Sequence, residues 1–201
     1  MAAVFNRWDV LTVMHEQDRS LRLALQGYAR EYAGQAEVAA EFIALLEEAG
    51  GHDPFSRDRL EGHFTASVWL VSSDAERVLL THHRKLQRWL QLGGHADGDH
   101  DLAAVALREA EEESGLSGLV LQTGTIYDLD RHWIPERHEV PGHWHYDVRY
   151  VVVAGADEHF VVSEESLALA WRSIAEVAEE PDESMRRMAQ RWLRRTRLGA
   201  G

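Results

Sequence analysis

Hydrophobic positions recur at helical spacing near the start of the chain. From Val10 to Ala49 the apolar residues form approximate amphipathic stripes that are interrupted near Gly34, which predicts two helices. Residues 50–63, with the sequence GGHDPFSRDRLEGH, hold the Gly, Pro, Asp and Ser typical of a connector. We therefore expect an N-terminal helical extension and connector over residues 1–62. The pair of helices could cap an active site or form a homodimer interface, and amphipathicity alone does not choose between them.

Beyond the connector the pattern changes to short β-branched or apolar runs, which predict strands. These strands cover residues 64–73, 77–84, 119–130, 145–156 and 166–171, with a loop over 131–142. Helices are predicted at residues 102–114, between Asp99 or Asp101 as the N-cap and Gly115, and at residues 182–198, after an Asp cap. Strands flanking isolated helices indicate an α+β fold. We place the main domain at residues 63–180 and a C-terminal helix at 181–201.

Composition narrows the range of functions. The 201 residues include no cysteine, which excludes disulfides, thiolate metal sites and cysteine nucleophiles, and fits the cytoplasm. Neither a signal peptide nor a membrane-spanning stretch is recognisable, so no membrane partner is expected. A formal charge of −13 argues against binding a nucleic-acid polymer. Any anionic substrate would therefore need a local cation.

The stretch REAEEESGL, residues 108–116, concentrates glutamates in the C-terminal half of a predicted helix. This placement opposes the helix dipole and sets like charges at i,i+3 and i,i+4, a conflict that is typical of functional sites. Glu109, Glu112 and Glu113 share one face, whereas Glu111 points elsewhere. Three carboxylates on one face suit a hard cation such as Mg²⁺. Adjacent glycines in the preceding LGGHADGD loop would let the backbone approach a metal-bound phosphate.

Together the loop and helix resemble the Nudix box: Gly, five residues, Glu, seven residues, then Arg-Glu-U-x-Glu-Glu-x-Gly-U, with U aliphatic. The positions that match in register are Gly94, Arg108, Glu109, Glu112, Glu113, Gly115 and Leu116. His100 replaces the box glutamate that anchors the arginine, a role that Asp99 or Asp101 would take over, and Ala110 replaces an aliphatic residue. The resemblance implies a Nudix fold, in which a mixed β-sheet is sandwiched between helices (α/β/α).

The same resemblance implies hydrolysis of a pyrophosphate bond in a small nucleoside diphosphate derivative, such as ADP-ribose or a nucleotide sugar. Glu109 and Glu113 would be the main Mg²⁺ ligands, with Mn²⁺ as a substitute, and Glu112 and the carbonyl of Gly93 would be further ligands. Arg108 would orient Glu109. The general base is a box carboxylate or a later glutamate, and the later candidates are Glu136, Glu139, Glu164 and Glu165.

Histidines suggest a second metal site for a transition-metal ion. His63 begins a predicted strand, His95 follows the two glycines, and HWHYD places His143, His145 and Asp147 at alternate positions of a strand. Imidazoles with a carboxylate suit Zn²⁺ or Mn²⁺. We expect His63, His95, His145 and Asp147 as its ligands. Alternatively, these histidines hydrogen-bond phosphates or one another.

Two other functions compete with hydrolysis. The first is a Nudix module that senses a nucleotide without turnover, for which three costly carboxylates would have little use. The second is chemistry similar to that of type I isopentenyl diphosphate isomerase, whose metal-binding histidines resemble His63 and His95. That enzyme uses a catalytic cysteine where this chain has Gly93, so its mechanism is excluded here.

Overall fold

One mixed sheet of eight strands organises the computed structural model, which describes residues 15–48, 51–84, 86–137, 140–163 and 166–199. The strands are β1 (Gly62–Val71), β2 (Arg77–His83), β3 (Arg88–Leu90), β4 (Leu92–His95), β5 (Val120–Leu121), β6 (Asp128–Ile134), β7 (His143–Val153) and β8 (Ser166–Ser173). The helices are α1 (Glu16–Glu31), α2 (Ala36–Glu47), α3 (Leu102–Ser114), α4 (Ile174–Val177) and α5 (Glu183–Gly199). None of the helices in these ranges is long and apolar enough to cross a bilayer.

Strand β1 lies at the centre of the sheet. It runs parallel to β7 along its whole length and antiparallel to β4, and it meets β2 at Val71. Every residue of β1 is buried because both faces of the sheet are covered. Phe64 and Val68 face the core shared with α1, α2 and α3, whereas Trp69 faces α4 and α5. This arrangement confirms the predicted α+β fold with helices on both sides of a mixed sheet.

The N-terminal helices are part of the main core. A short 3₁₀ turn at Ala33–Gln35 separates α1 from α2, which confirms the predicted break near Gly34. Leu25 and Phe42 are fully buried in the cluster that contains Phe64. Residues 10–14 and 49 of the predicted helical segment lie outside the described residues.

Helix α5 covers the other face of the sheet. Asp182 accepts a hydrogen bond from the N–H of Met185 at 3.0 Å, so an aspartate caps this helix as predicted. Met188 and Trp192 are buried against the sheet, and the hydroxyl of Tyr127 donates to the carbonyl of Met188 at 2.6 Å. The C-terminal helix is therefore held by both apolar burial and a buried hydrogen bond.

Two sequence-based predictions of loops are wrong in part. Residues 92–95 form strand β4 instead of a loop, because Gly93 and Gly94 pair with Ser67 and Ala66 of β1. The predicted loop from residue 131 begins later, since β6 continues to Ile134 along β7. In both places pairing with a distant strand outweighs the local signal of the sequence.

Candidate active site

Helix α3 is fixed at both ends by local hydrogen bonds. The side chain of Asp101 accepts from the N–H of Ala104 at 3.0 Å, so Asp101 is the N-cap. Gly115 follows the last turn with a φ of 68°, and its N–H donates to the carbonyl of Glu111 at 2.8 Å. Ala110, at the aliphatic position of the box, is fully buried in the core. The buried face of α3 thus leaves its acidic face directed away from the core.

The acidic face of α3 lines a small pocket. Glu109, Glu112, Glu113 and Ser163 surround a volume of about 220 Å³. Oε1 of Glu113 accepts from the N–H of Gly93 at 3.4 Å, which links the helix to β4. Glu111 is exposed and is not among the pocket residues. The three predicted carboxylates therefore share one site, and their oxygen donors fit a hard divalent cation.

The two glycines of β4 are each required by a different neighbour. A β-carbon on Gly93 would lie 2.5 Å from the carbonyl oxygen of Ala66 and from Cα of Ser67. A β-carbon on Gly94 would lie 2.6 Å from Cδ of Glu109 and closer still to its Oε2. Since such contacts are far below van der Waals distance, any side chain at Gly94 would displace the Glu109 carboxylate.

Arg108 pairs with the loop before α3. Its Nη1 lies 3.2 Å from Oδ2 of Asp99, and both side chains are about half exposed. Of the two aspartates considered for this role, Asp99 makes the pair and Asp101 caps the helix. An aspartate next to the usual box position thus holds the box arginine.

His100 has a different task from the glutamate that it replaces. Its Nδ1 lies 2.6 Å from Oδ1 of Asp18 on α1, and its Nε2 lies 3.7 Å from Oδ2 of Asp53. The ring also stacks on Phe55 at a centroid distance of 4.1 Å. His100 therefore connects the N-terminal helix to the loop that leads into α3.

Arg57 is a functional candidate that sequence reasoning missed. Its Nε donates to Oδ1 of Asp97 at 2.5 Å. The hydrogen bond to Asp97 raises the pKa of Arg57, and the negative charge of Glu109 contributes in the same direction. A cation thus lies within electrostatic reach of the box carboxylates. No local motif in the connector marks Arg57, so only the fold could reveal it.

Histidines from three strands meet on the sheet face that also carries α5. His63, His95 and His145 each offer a ring nitrogen, and these atoms all lie within 4.8 Å of one another. His143 joins them, with its Nε2 3.1 Å from Nε2 of His145. His132 lies beside the group at a ring distance of 5.4 Å from His145. We call His63, His95, His143 and His145 the histidine cluster.

Burial lowers the pKa of three members of the histidine cluster, namely His63, His95 and His145. Burial and, to a smaller extent, the nearby His95 lower the pKa of His145 to about 2. Burial and the positive charge of Arg57 lower the pKa of His95 to about 4. The pKa of His63 is lowered as well, mainly by burial. These imidazoles are therefore neutral at pH 7, which is the form that binds metals.

Asp147 does not join the three histidines with which it was predicted to bind a metal. Its Oδ2 accepts from Oγ of Ser67 and from Nε of Arg149, each at 2.7 Å, and its Oδ1 accepts from Oγ1 of Thr65 at 3.1 Å. Arg149 is buried and also pairs with Asp128 and Asp130, each at 3.2 Å. The carboxylate of Asp147 is thus engaged in a buried polar network that joins β1, β6 and β7.

The later glutamates considered as general base are only partly within the structure. Glu136 is exposed in the segment after β6. Glu139, Glu164 and Glu165 lie outside the described residues.

A larger pocket, of about 350 Å³, lies between α1 and the start of α3. Its lining includes Glu16, Leu21, His100 and Tyr150 but no box carboxylate. The larger of these two pockets is therefore separate from the three carboxylates of α3.

Comparison with known proteins agrees with this geometry. Residues 62–193 match the family described as NUDIX domain. The chain is similar to a Nudix family hydrolase from Clostridium perfringens, with 23% identity, a TM-score of 0.51, and coverage of 65% of this chain and 95% of that one. It is also similar to a MutT protein from Methanosarcina mazei Go1, with 18% identity, a TM-score of 0.51, and coverage of 67% and 95%. No curated protein matches the sequence.

A third solved structure, an Ap4A hydrolase from C. elegans, has 15% identity and a TM-score of 0.50, with coverage of 69% of this chain and 98% of that one. At these identities the solved structures show the shared fold. The family match spans β1, the complete box and most of α5. The chain therefore belongs to the Nudix family.

Proposed function

We propose that the protein uses Mg²⁺ to hydrolyse the pyrophosphate bond of a nucleoside diphosphate derivative of the ADP-ribose or nucleotide-sugar type. One observation carries this proposal: the carboxylate of Glu109 lies in the space that Gly94 leaves open, beside Glu112 and Glu113 in one pocket. The cysteine-free composition favours the cytoplasm as the location.

Each box residue then has a defined role. Glu109 and Glu113 would be the main ligands of Mg²⁺ or Mn²⁺, and Glu112 and the carbonyl of Gly93 would complete the set. When bound, the ion neutralises charge on the phosphate oxygens and lowers the pKa of a nearby water. Arg108, held by Asp99, acts as a positioning residue for Glu109.

The crowding of charge on α3 supports catalysis over passive binding. Glu109 and Glu113 are half-buried at i and i+4, a spacing at which like charges destabilise a helix. Their proximity to the negative end of the helix adds to this cost. A divalent cation would reverse both effects, and a phosphate substrate would benefit from the same ion.

The substrate is proposed to be small. A formal charge of −13 opposes binding of long polyanions, and the pocket between the carboxylates is small. Isomerisation of a prenyl diphosphate by a cysteine-dependent mechanism is not available, since the chain has no cysteine. The remaining rival is a nucleotide-sensing module without turnover.

A substrate panel separates these functions. The purified full chain would be incubated with Mg²⁺ in ¹⁸O-labelled water with ADP-ribose, nucleotide sugars, a dinucleoside polyphosphate or a nucleoside triphosphate. We expect two products from one diphosphate derivative, with the label on one product phosphate, and loss of the reaction with a chelator. Saturable binding without label incorporation across the panel would overturn hydrolysis and favour the sensing module.

A further inference from the structure

We propose that the histidine cluster is a second metal site, which binds one transition-metal ion of the Zn²⁺ type independently of the box carboxylates. Its ligands are His63 from β1, His95 from β4, and His143 and His145 from β7. The proposal does not rest on the hydrolytic function above, because it concerns nitrogen donors on a separate part of the sheet.

The spacing of the ring nitrogens suits a single ion. Zn²⁺ binds imidazole nitrogen at about 2.0–2.1 Å in a tetrahedron, which places two ligand nitrogens about 3.3 Å apart. The Nε2 atoms of His143 and His145 are 3.1 Å apart. The ring centroid of His63 lies 5.0 Å from the ring centroids of His143 and His145, and 5.2 Å from that of His95. The ligand nitrogens of His63, His95 and His145 lie within 4.8 Å of one another, so small rotations of these three rings would bring them around one ion beside His143.

Two of the four rings are already oriented as metal ligands are. Nδ1 of His63 lies 3.1 Å from the carbonyl of Arg59, and Nδ1 of His143 lies 2.8 Å from the carbonyl of Pro141. A carbonyl only accepts, so Nδ1 donates in both rings and the lone pair is on Nε2. Metal-binding histidines are typically held in this way by an outer hydrogen bond.

His63 gives the strongest support for a metal ion at the histidine cluster. Its side chain is buried, with a relative exposure of 2%, and its Nε2 has no hydrogen-bond partner. A buried polar atom without a partner is costly, and native structures rarely keep one without a reason. A metal ion at the centre of the histidine cluster would use this lone pair.

The chemistry of the donors selects the kind of ion. Asp147, the carboxylate on the same face of β7, is engaged by Thr65, Ser67 and Arg149, so the donors that the cluster offers are imidazole nitrogens. Imidazole prefers borderline ions such as Zn²⁺, whereas Mg²⁺ prefers oxygen. A phosphate fits the geometry less well, because the short Nε2–Nε2 distance between His143 and His145 suits two ligands of one small ion.

An ion in this position would also brace the strand that serves the active site. His95 directly follows Gly94, which makes room for Glu109, and Gly93, whose N–H reaches Glu113. Ligation of His95 together with residues of β1 and β7 would tie β4 to the centre of the sheet. The two metal sites would then be neighbours joined by one short strand.

Metal titration of the full chain tests the proposal. Chelator-treated protein would be titrated with Zn²⁺ alone by calorimetry, in the wild type, in His63→Ala/His145→Ala, and in the controls His159→Ala, which alters an exposed histidine, and Glu113→Gln. We expect one equivalent bound by the wild type and both controls, and at least a hundredfold weaker binding by the double variant. Equal binding by the double variant, or loss of binding in Glu113→Gln alone, would overturn the site.

A second measurement covers the case in which the double variant does not fold. Co²⁺ bound to the wild type would give the strong visible absorption of a tetrahedral nitrogen site, unchanged in Glu113→Gln. A weak octahedral spectrum, or no uptake of Co²⁺, would overturn the proposal. The protein would also be titrated with inorganic phosphate. If phosphate binding required the histidine cluster and Zn²⁺ did not bind, the cluster would be an anion site and the proposal would be overturned.

Discussion

The carboxylate of Glu109 occupies the space in which a β-carbon on Gly94 would have to lie. The glycine that begins the box and the glutamate on α3 are therefore one structural unit, although a loop and two helical turns separate them in the chain. The glycine is needed because of where the carboxylate lies, and not for a positive φ angle, since Gly94 is not among the residues with positive φ.

Replacing Gly94 by alanine tests this unit. The new β-carbon would push the Glu109 carboxylate away from Glu113, so we expect kcat/KM with Mg²⁺ to fall by about a hundredfold, the equivalent of roughly 3 kcal/mol. Gly27→Ala is the matched control, because a β-carbon there meets nothing within 4 Å. It should leave kcat/KM unchanged and raise stability by about 0.5–1 kcal/mol. Equal activity of the two variants would contradict the role of Gly94.

The pair between Asp99 and Arg108 predicts a modest kinetic effect. Exposed ion pairs contribute about 0.2–1 kcal/mol, so Asp99→Ala should lower kcat/KM by roughly twofold to fivefold, with little change in stability. Asp101→Ala should show the opposite pattern, because it removes the cap of α3 and costs about 1 kcal/mol of unfolding free energy. Chemical denaturation and steady-state kinetics on both variants would check the contrast. If Asp101→Ala lost more activity than Asp99→Ala, the assignment of the two roles would be wrong.

Restoring the family residue at position 100 should harm this protein. His100→Glu would place a third carboxylate beside Asp18 and Asp53 and would remove the hydrogen bond to α1. We expect the unfolding free energy to fall by about 2 kcal/mol, as judged by urea denaturation. Adding Asp18→Asn should recover part of this loss, because it removes the nearer repulsion. A more stable His100→Glu variant would refute the docking role of His100.

Acid should weaken the buried network around Arg149. Burial alone would raise the pKa of Asp130, but the positive charge of Arg149 and the hydrogen bond to His132 outweigh it and hold that pKa below its usual value. A carboxyl whose pKa is lowered in the folded state stabilises the protein above its unfolded pKa of about 3.9, and this contribution is lost as the pH falls further. The stability gap between the wild type and Asp130→Asn should therefore be about 1–3 kcal/mol at pH 7 and shrink below pH 4. A gap that does not change with pH would contradict this view.

Local signals explain what the sequence could predict. Helix α3 was predictable because Asp101 and Gly115 define its ends within the chain itself. Alternation along β7 predicted that His143 and His145 share one face, and their rings are in contact. The approach of His63 and His95 depends on the pairing of β1 with β7 and β4. Strand β4 was missed, since two adjacent glycines favour a loop until β1 lies against them.

Long-range contacts explain what the sequence could not predict. The position of Asp147 outside the histidine cluster depends on Arg149, whose other partners on β6 and α5 are set by the fold. Arg57 lies near Glu109 only because the connector contacts the loop between β4 and α3, at Asp97 and Gly98. The i,i+2 spacing of Asp147 and Arg149 places both on one face of β7, but the pairing of Arg149 with β6 and the approach of Arg57 to Glu109 leave no local trace in the chain.

The most direct test of the proposed metal site on α3 compares kcat/KM with Mg²⁺ between the variants Glu113→Gln and Glu111→Gln. The two changes remove the same charge from the same helix, but Glu113 faces the pocket and Glu111 is exposed outside it. We expect Glu113→Gln to lose at least about a hundredfold, as fits the loss of a metal ligand, and Glu111→Gln to stay within about twofold of the wild type. Full activity of Glu113→Gln would contradict the account.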